Sequence, residues 1–278
     1  MKSIFKIFFP LLIIVFINAC SSSQTNVAVI KIKGSDTMLN LTEYLAEEYM
    51  KNNAGVSIYV EGGGSSSGIK SLINREVDIC IASRPLQPEE IKMIASKYST
   101  LGVSYLIAKD GLSVYINPKN PKHDFTIQEL KKIYTGKIKN WKEIGGRNAL
   151  IVPVVRTPNS GTYLYFKEHI LEGEEYTSSV ITVTTTDKVI EKIAENENAI
   201  GYGGLVSESL KYHASINGVS PKEENVRNDR YPINRYLHFY LLTNPSGALK
   251  DFVDWVLSPI GQKIIKDSGY VPLFEIQS

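Results

Sequence analysis

Four times along this 278-residue chain a strand-like run ends in a short turn that carries hydroxyl residues, three of the four with glycine, and a helix-like run follows. The four turns are Gly34-Ser35-Asp36-Thr37, Gly64-Ser65-Ser66-Ser67-Gly68, Ser83-Arg84-Pro85, and Arg156 with Asn159-Ser160-Gly161-Thr162. Strand-like runs that alternate with helical ones point to an α/β fold. In open α/β sheets a ligand binds beyond the carboxyl ends of the strands, where such turns lie. A helix start presents unpaired backbone N–H groups and the positive end of its dipole. Glycine lets the backbone come close to an anion, serine and threonine add hydroxyl donors, and arginine adds a charged fork. The four turns together describe an oxyanion site that needs no metal. Any one of them alone reads equally as an ordinary helix cap.

The first strand is expected over Val27 to Lys33, and Met38, Leu41, Leu45 and Tyr49 then recur at helical spacing. Further strands are expected at Val56 to Val60, Val77 to Ala82, Leu112 to Ile116, Ile151 to Arg156, Val180 to Thr184 and Tyr236 to Leu242. Pro88 opens a helix with two acids in its first turn, and Thr126-Ile127-Gln128-Glu129 is a capping box. One long helix from about Ala248 to Lys266, bent at Pro259, closes the chain.

The amino terminus reads as a targeting segment. Lys2 and Lys6 precede an apolar run, Ile7 to Ile17, which ends at Asn18-Ala19-Cys20. The run is shorter than the ~20 residues of a membrane-spanning helix, and Pro10 interrupts it. Ile17-Asn18-Ala19-Cys20 resembles a bacterial lipoprotein signal, with Ile17 where leucine is usual. That implies a signal peptide over 1–19, lipidation at Cys20 and a polar tether over 20–26; plain secretion is the alternative. Stable anchoring requires more than one acyl chain. Loss of residues 1–19 leaves 259 residues with 29 basic and 29 acidic side chains. This neutral balance, with no long basic run, argues against a nucleic-acid partner. Cys80 sits in an apolar run and reads as a small core residue.

Other chemistries fit less well. A nucleotide-binding P-loop places lysine directly after its last glycine, and here Ile69 separates Gly68 from Lys70. Gly64-Ser65-Ser66-Ser67-Gly68 matches a nucleophile elbow at Ser66, but no histidine partner can be assigned. His123, His169, His213 and His238 are scattered without metal-ligand spacing. No catalytic residue, metal or cofactor is nominated.

The ordered set of segments resembles the phosphate-binding proteins of bacterial ABC phosphate importers. It runs from Gly34-Ser35-Asp36-Thr37-Met38 through Gly68-Ile69-Lys70, Ala82-Ser83-Arg84-Pro85, Ile138-Lys139-Asn140-Trp141, Arg156 with Ser160-Gly161-Thr162, and Asn198-Ala199-Ile200-Gly201-Tyr202. It ends with Tyr231-Pro232-Ile233-Asn234-Arg235 and Leu257-Ser258-Pro259-Ile260-Gly261-Gln262-Lys263. The resemblance implies a two-lobe periplasmic-binding-protein fold of type II-like form, a hinge, and an inorganic phosphate bound in the cleft. Lobe 1 would combine 27–115 with 206–278, and lobe 2 would be 116–205, with crossings near Asn117-Pro118 and after Gly204. It further implies an exported monomeric protein on a membrane, serving ABC permease subunits.

By the same resemblance, Ser35, Asp36, Thr37, Ser65, Ser66, Ser67 and Ser83 would meet the anion from lobe 1, and Arg156, Ser160, Gly161 and Thr162 from lobe 2. Arg84 departs from the pattern. Some family members carry there an aspartate that accepts a hydrogen bond from a protonated anion. Either Asp36 takes that role or it is only a helix cap, and Arg84 adds a second positive charge to the expected site. Receptors for sulfate or molybdate, a phosphate-responsive sensor or adhesion protein, and a phosphate-ester hydrolase are the competing readings.

Overall fold

The computed structural model describes residues 27–205 and 211–276. Cys20 and its tether therefore lie outside the described residues. The chain folds into two α/β lobes, each around its own sheet.

The first sheet holds β1 (Ala28–Gly34), β2 (Val56–Glu61), β3 (Ile79–Ala82), β4 (Val103–Gly111) and a late strand, β11 (Asn234–Leu241). Its order is β2-β1-β3-β11-β4. β1 runs parallel to β2 and β3, whereas β11 is antiparallel to both β3 and β4. The helices α1 (Leu39–Asn52), α2 (Ser65–Ile73) and α3 (Pro88–Tyr98) follow the first three strands. Because side chains alternate across a strand, β3 feeds two cores. Ile79 and Ile81 pack with Ile30, Leu41, Phe239 and Phe252 on one face, while Cys80 and Ala82 pack with Ile69, Leu72 and Ile94 on the other. Burial pushes the Cys80 thiol far above its ordinary pKa, as an inert core role requires.

The second sheet holds β5 (Ser113–Ile116), β7 (Val152–Arg156), β8 (Ile181–Val183) and β9 (Ala199–Gly203), in the order β5-β9-β7-β8. A short parallel pair, β6 (Asp124–Phe125) with β10 (Ser215–Ile216), lies beside it. Its helices are α4 (Ile127–Tyr134), α5 (Gly161–His169), α6 (Thr186–Glu195) and α7 (Glu223–Arg227). Thr126 and Glu129 form the expected capping box at the start of α4.

The expected crossings shift. β5 already pairs with β9, so the chain leaves the first sheet at Leu112 rather than near Asn117-Pro118. Asn117 instead donates its amide to the Ile193 carbonyl at 2.9 Å, inside the second lobe. Ala214, Ile216, Val226, Tyr231 and Ile233 pack in the same core as Leu112, Phe125 and Trp141. The chain therefore returns to the first sheet only at Asn234, well after residue 206. The single closing helix also divides, into α8 (Gly247–Leu257) and α9 (Pro259–Asp267), with Ser258 capping the second. Pro259 has no N–H to donate, so it starts a helix more readily than it continues one. Among the described residues no helix is long and apolar enough to cross a membrane.

The two crossings are held by one buried carboxylate. Asp110, at the end of β4, accepts from Arg235 Nε at 3.0 Å and Nη2 at 2.8 Å, and from the Leu205 backbone N–H at 2.9 Å. Both side chains are almost fully excluded from water. Burial pushes the Asp110 pKa up, against the opposing pull of Arg235 and the Leu205 N–H. Removal of one partner strands the other charge in the interior, at a cost of about 3–5 kcal/mol. Asp110→Asn and Arg235→Met should each lower the melting temperature by on the order of 10 °C. A loss within 2–3 °C by differential scanning calorimetry would show that the pair is dispensable.

Candidate functional site

Where the lobes meet, the four turns converge. Ser35, Asp36 and Thr37 follow β1, and Ser65, Ser66 and Ser67 form the first turn of α2. Ser83 and Arg84 follow β3, and Arg156 ends β7 in the opposite lobe. Ser160 caps α5, its hydroxyl accepting from the Thr162 N–H at 3.2 Å.

Arg156 is fully buried, and each guanidinium nitrogen has a partner. Nε donates to the Thr184 carbonyl at 3.0 Å, Nη1 to the Thr186 hydroxyl at 3.2 Å, and Nη2 to Asp36 Oδ2 at 2.9 Å. Burial lowers its pKa from the ordinary arginine value, Asp36 opposes that fall, and Arg235 adds to it. An arginine remains charged even so. The partner carboxylate is held from its own lobe as well, because Asp36 Oδ1 accepts from the Gly63 N–H at 2.8 Å. Asp36 is not the cap of α1: that position belongs to Met38, with no side-chain bond to the helix. Each carboxylate oxygen has two lone pairs, so both retain capacity to accept another hydrogen bond.

The hydroxyls interlock around this pair. Ser35 Oγ donates to Ser83 Oγ at 3.0 Å, and the Ser83 N–H donates to Ser65 Oγ at 3.2 Å. Thr37 Oγ1 and Thr162 Oγ1 meet across the lobes at 3.0 Å. Gly161 is wedged between the lobes, where a Cβ would stand 2.3 Å from Ser65 Oγ and 2.6 Å from Ser83 Oγ. A cavity of about 200 Å³ adjoins the cluster, bounded by Asp36, Thr37, Thr186, Asp187, Gly204 and Tyr270.

Two expected ligands are placed differently. Ser67 is half-buried in the first turn of α2, with no bond to the interlocked hydroxyls among those described. Arg84 is diverted from the cluster: its Nη1 and Nη2 clasp Glu90 at 2.8 and 2.7 Å, and Nη1 also reaches the Pro85 carbonyl at 2.8 Å. Glu90 is in the first turn of α3, six residues on, and also accepts from the Gln87 N–H at 2.7 Å. Arg84 thus braces the start of α3, and its one link toward the cluster is Nη2 to Ser66 Oγ at 3.2 Å. Sequence reading missed Thr186 and Asn159. Thr186 opens a helix after a strand, but no glycine and no arginine stands beside it to mark a site. Asn159 was legible only as part of its turn.

The arrangement gathers N–H groups and hydroxyls from several helix starts, one arginine and one carboxylate acceptor. This set suits a tetrahedral oxyanion that carries a proton. Among the described residues it holds no hydrogen-bonded nucleophile-and-base pair. A Gly161→Ala substitution places a methyl group against Ser65 and Ser83. It should weaken anion affinity more than tenfold by forcing the lobes apart while each lobe keeps its fold. Unchanged affinity by isothermal titration would mean that the lobes do not need this close approach.

Residues 19–259 match the PBP superfamily domain. The phosphate-binding protein PstS of Bacillus subtilis is 35% identical over 249 residues, covering 88% of this chain and 81% of the relative. PstS of Borreliella burgdorferi is 29% identical over 265 residues, covering 90% and 91%. Among solved structures, a phosphate-bound protein from Clostridium perfringens, assigned as the substrate-binding component of a phosphate ABC transporter, superposes with a TM-score of 0.80. It is 32% identical and covers 88% of this chain and all of that one. An ABC-type phosphate transport receptor from Vibrio cholerae superposes with a TM-score of 0.74 at 26% identity, covering 87% and 99%.

Proposed function

The chain belongs to the PBP superfamily, and on that premise we propose that it captures inorganic phosphate outside the cytoplasm and delivers it to an ABC importer. The observation that carries this reading is the buried Arg156, held by Asp36 of the opposite lobe among hydroxyls from the turns after β1 and β3 and from the starts of α2 and α5. The protein is a receptor rather than an enzyme: capture and release complete its task.

In this reading one lobe comprises 27–111 with 234–276, the other 113–205 with 211–233, and they close on the anion about Leu112 and Ile233. Arg156 supplies a guanidinium whose charge Asp36 balances. Ser35, Thr37, Ser65, Ser66, Ser83, Ser160 and Thr162 supply hydroxyl and backbone donors, and Gly161 its N–H. Ser67 contributes to the α2 start, and Arg84 positions α3 and Ser66 instead of touching the anion. Asp36 accepts a hydrogen bond from the O–H of hydrogen phosphate. Sulfate carries no proton near neutral pH, so its oxygens would face the carboxylate with no hydrogen between them. This disfavours a sulfate or molybdate receptor.

Titration calorimetry of the chain from residue 27 onward, with phosphate, sulfate and molybdate, tests the proposal. Phosphate should bind at micromolar protein concentration and the others far more weakly. Asp36→Asn should narrow the phosphate-over-sulfate ratio at least tenfold, because an amide can donate to either anion. Absence of phosphate binding overturns the function, and an unchanged ratio in Asp36→Asn overturns the role of that carboxylate.

The anchoring reading rests on Ile17-Asn18-Ala19-Cys20 and the serines after it. Cys20 would carry the lipid and 21–26 the tether that lets the lobes reach a permease as a monomer. Expressed with its leader in a bacterium, the protein should partition into detergent and show diacylglycerol mass at Cys20. Cys20→Ala should prevent both. Recovery of unmodified mature protein in the aqueous phase would favour plain secretion.

A further inference from the structure

We infer that Asn159 is a latch that holds the two lobes together through contacts that do not pass through the anion. The inference rests on the proposed reading of a closing receptor and concerns how that closure is stabilised.

Asn159 stands at the tip of the loop between β7 and α5. The Ser160 N–H returns to the Thr157 carbonyl at 2.9 Å, so Thr157-Pro158-Asn159-Ser160 is a hydrogen-bonded turn with proline and asparagine at its two central positions. Proline pre-sets the backbone of such a turn, so its tip is presented rigidly. From there Asn159 reaches the other lobe twice. Its Nδ2 donates to the Gly63 carbonyl at 2.8 Å, and its own carbonyl accepts from the Ser66 N–H at 3.3 Å. Between these two bonds lies Gly64, at φ +90°, where a Cβ would stand 2.6 Å from the Asn159 carbonyl oxygen. Only glycine allows both that backbone angle and that approach.

The latch is bonded to both sides of Gly64, next to the Asp36 contact at Gly63 and the first turn of α2. Its own side chain is exposed, so water competes for the bond and the latch is weak enough to release. A contact of this kind shifts the balance between open and closed forms and leaves the anion's own contacts unaltered. Apparent affinity scales with the closed fraction, so every anion gains by the same factor. Asp36, which faces the anion, acts in the opposite way, on the ratio between anions. The β7–α5 turn therefore divides two tasks between neighbours: Ser160, Gly161 and Thr162 meet the ligand, and Asn159 meets the other lobe.

The test compares wild type with Asn159→Ala, using phosphate and the isosteric arsenate. Loss of one partly exposed hydrogen bond should weaken both affinities about 3- to 10-fold, through faster dissociation in stopped flow, with their ratio unchanged. Small-angle scattering of the ligand-free protein should show a larger radius of gyration in Asn159→Ala, and the melting profile of the variant checks that it is folded. Unchanged dissociation, or an unchanged radius of gyration, overturns the latch. A changed phosphate-to-arsenate ratio also overturns it, because it would place Asn159 on the anion. Wild-type protein that binds no phosphate refutes the receptor reading instead, and the scattering comparison still decides the latch.

Discussion

A guanidinium with no exposure to water is costly unless every nitrogen is satisfied and the charge is matched, and Arg156 meets both conditions only with help from the other lobe. Thr184 and Thr186 engage two of its nitrogens from within its own lobe; the carboxylate that engages the third belongs to the turn after β1. Separation of the lobes would leave Arg156 with water in place of Asp36. The pair therefore couples the charge state of the site to the relative position of the lobes. Thr37 with Thr162, and Gly161 against Ser65 and Ser83, align along the same seam.

That seam exists because of strand direction. β1, β2 and β3 are parallel, so their carboxyl ends lie on one edge of the sheet, and the three turns that follow them are brought side by side. The strand that closes the sheet, β11, enters antiparallel and last, after the entire second lobe. Its first residues pair with the final residues of β4. Both crossings are thus adjacent strands of one sheet, joined through Asp110 and Arg235, and the second lobe is carried on a short, stiff base. A base of this kind permits rotation about Leu112 and Ile233 while it keeps the two edges in register.

Most of this was legible in the sequence where local chemistry and local structure agree. The four turns announce themselves through hydroxyl residues, and in three of them glycine, between a strand period and a helical one, and hydrogen bonds link Ser35 to Ser83, Ser83 to Ser65, Thr37 to Thr162 and Asp36 to Arg156. β4 was missed because Lys109 and Asp110 interrupt its apolar run, and those charges become intelligible only beside Asp229 and Arg235, more than 100 positions away. β9 was missed because its two glycines lower strand propensity, although Gly201 is the residue that lets Val189 of α6 pack directly on the strand. Residues 214–233 carry no local mark of the core they join. Arg84 was read as a ligand because a cation beside an anion site suggests attraction, yet Glu90, in the first turn of the next helix, had the better geometric claim to it.

The fate of Arg84 changes the electrostatic character of the site. With Arg84 neutralised by Glu90, the cluster holds one cation, Arg156, and one anion, Asp36, and their side chains have no net charge. Attraction for a dianion must then come from oriented N–H groups and hydroxyls at the starts of α2 and α5, whose dipoles point inward without a counter-ion. A neutral, donor-rich site with one built-in acceptor holds an anion by matching hydrogen bonds in number and direction, and charge alone earns little there. It follows that discrimination is sharpest between anions of the same shape that differ in a proton. The carboxylate that balances Arg156 is also the group placed to read that difference.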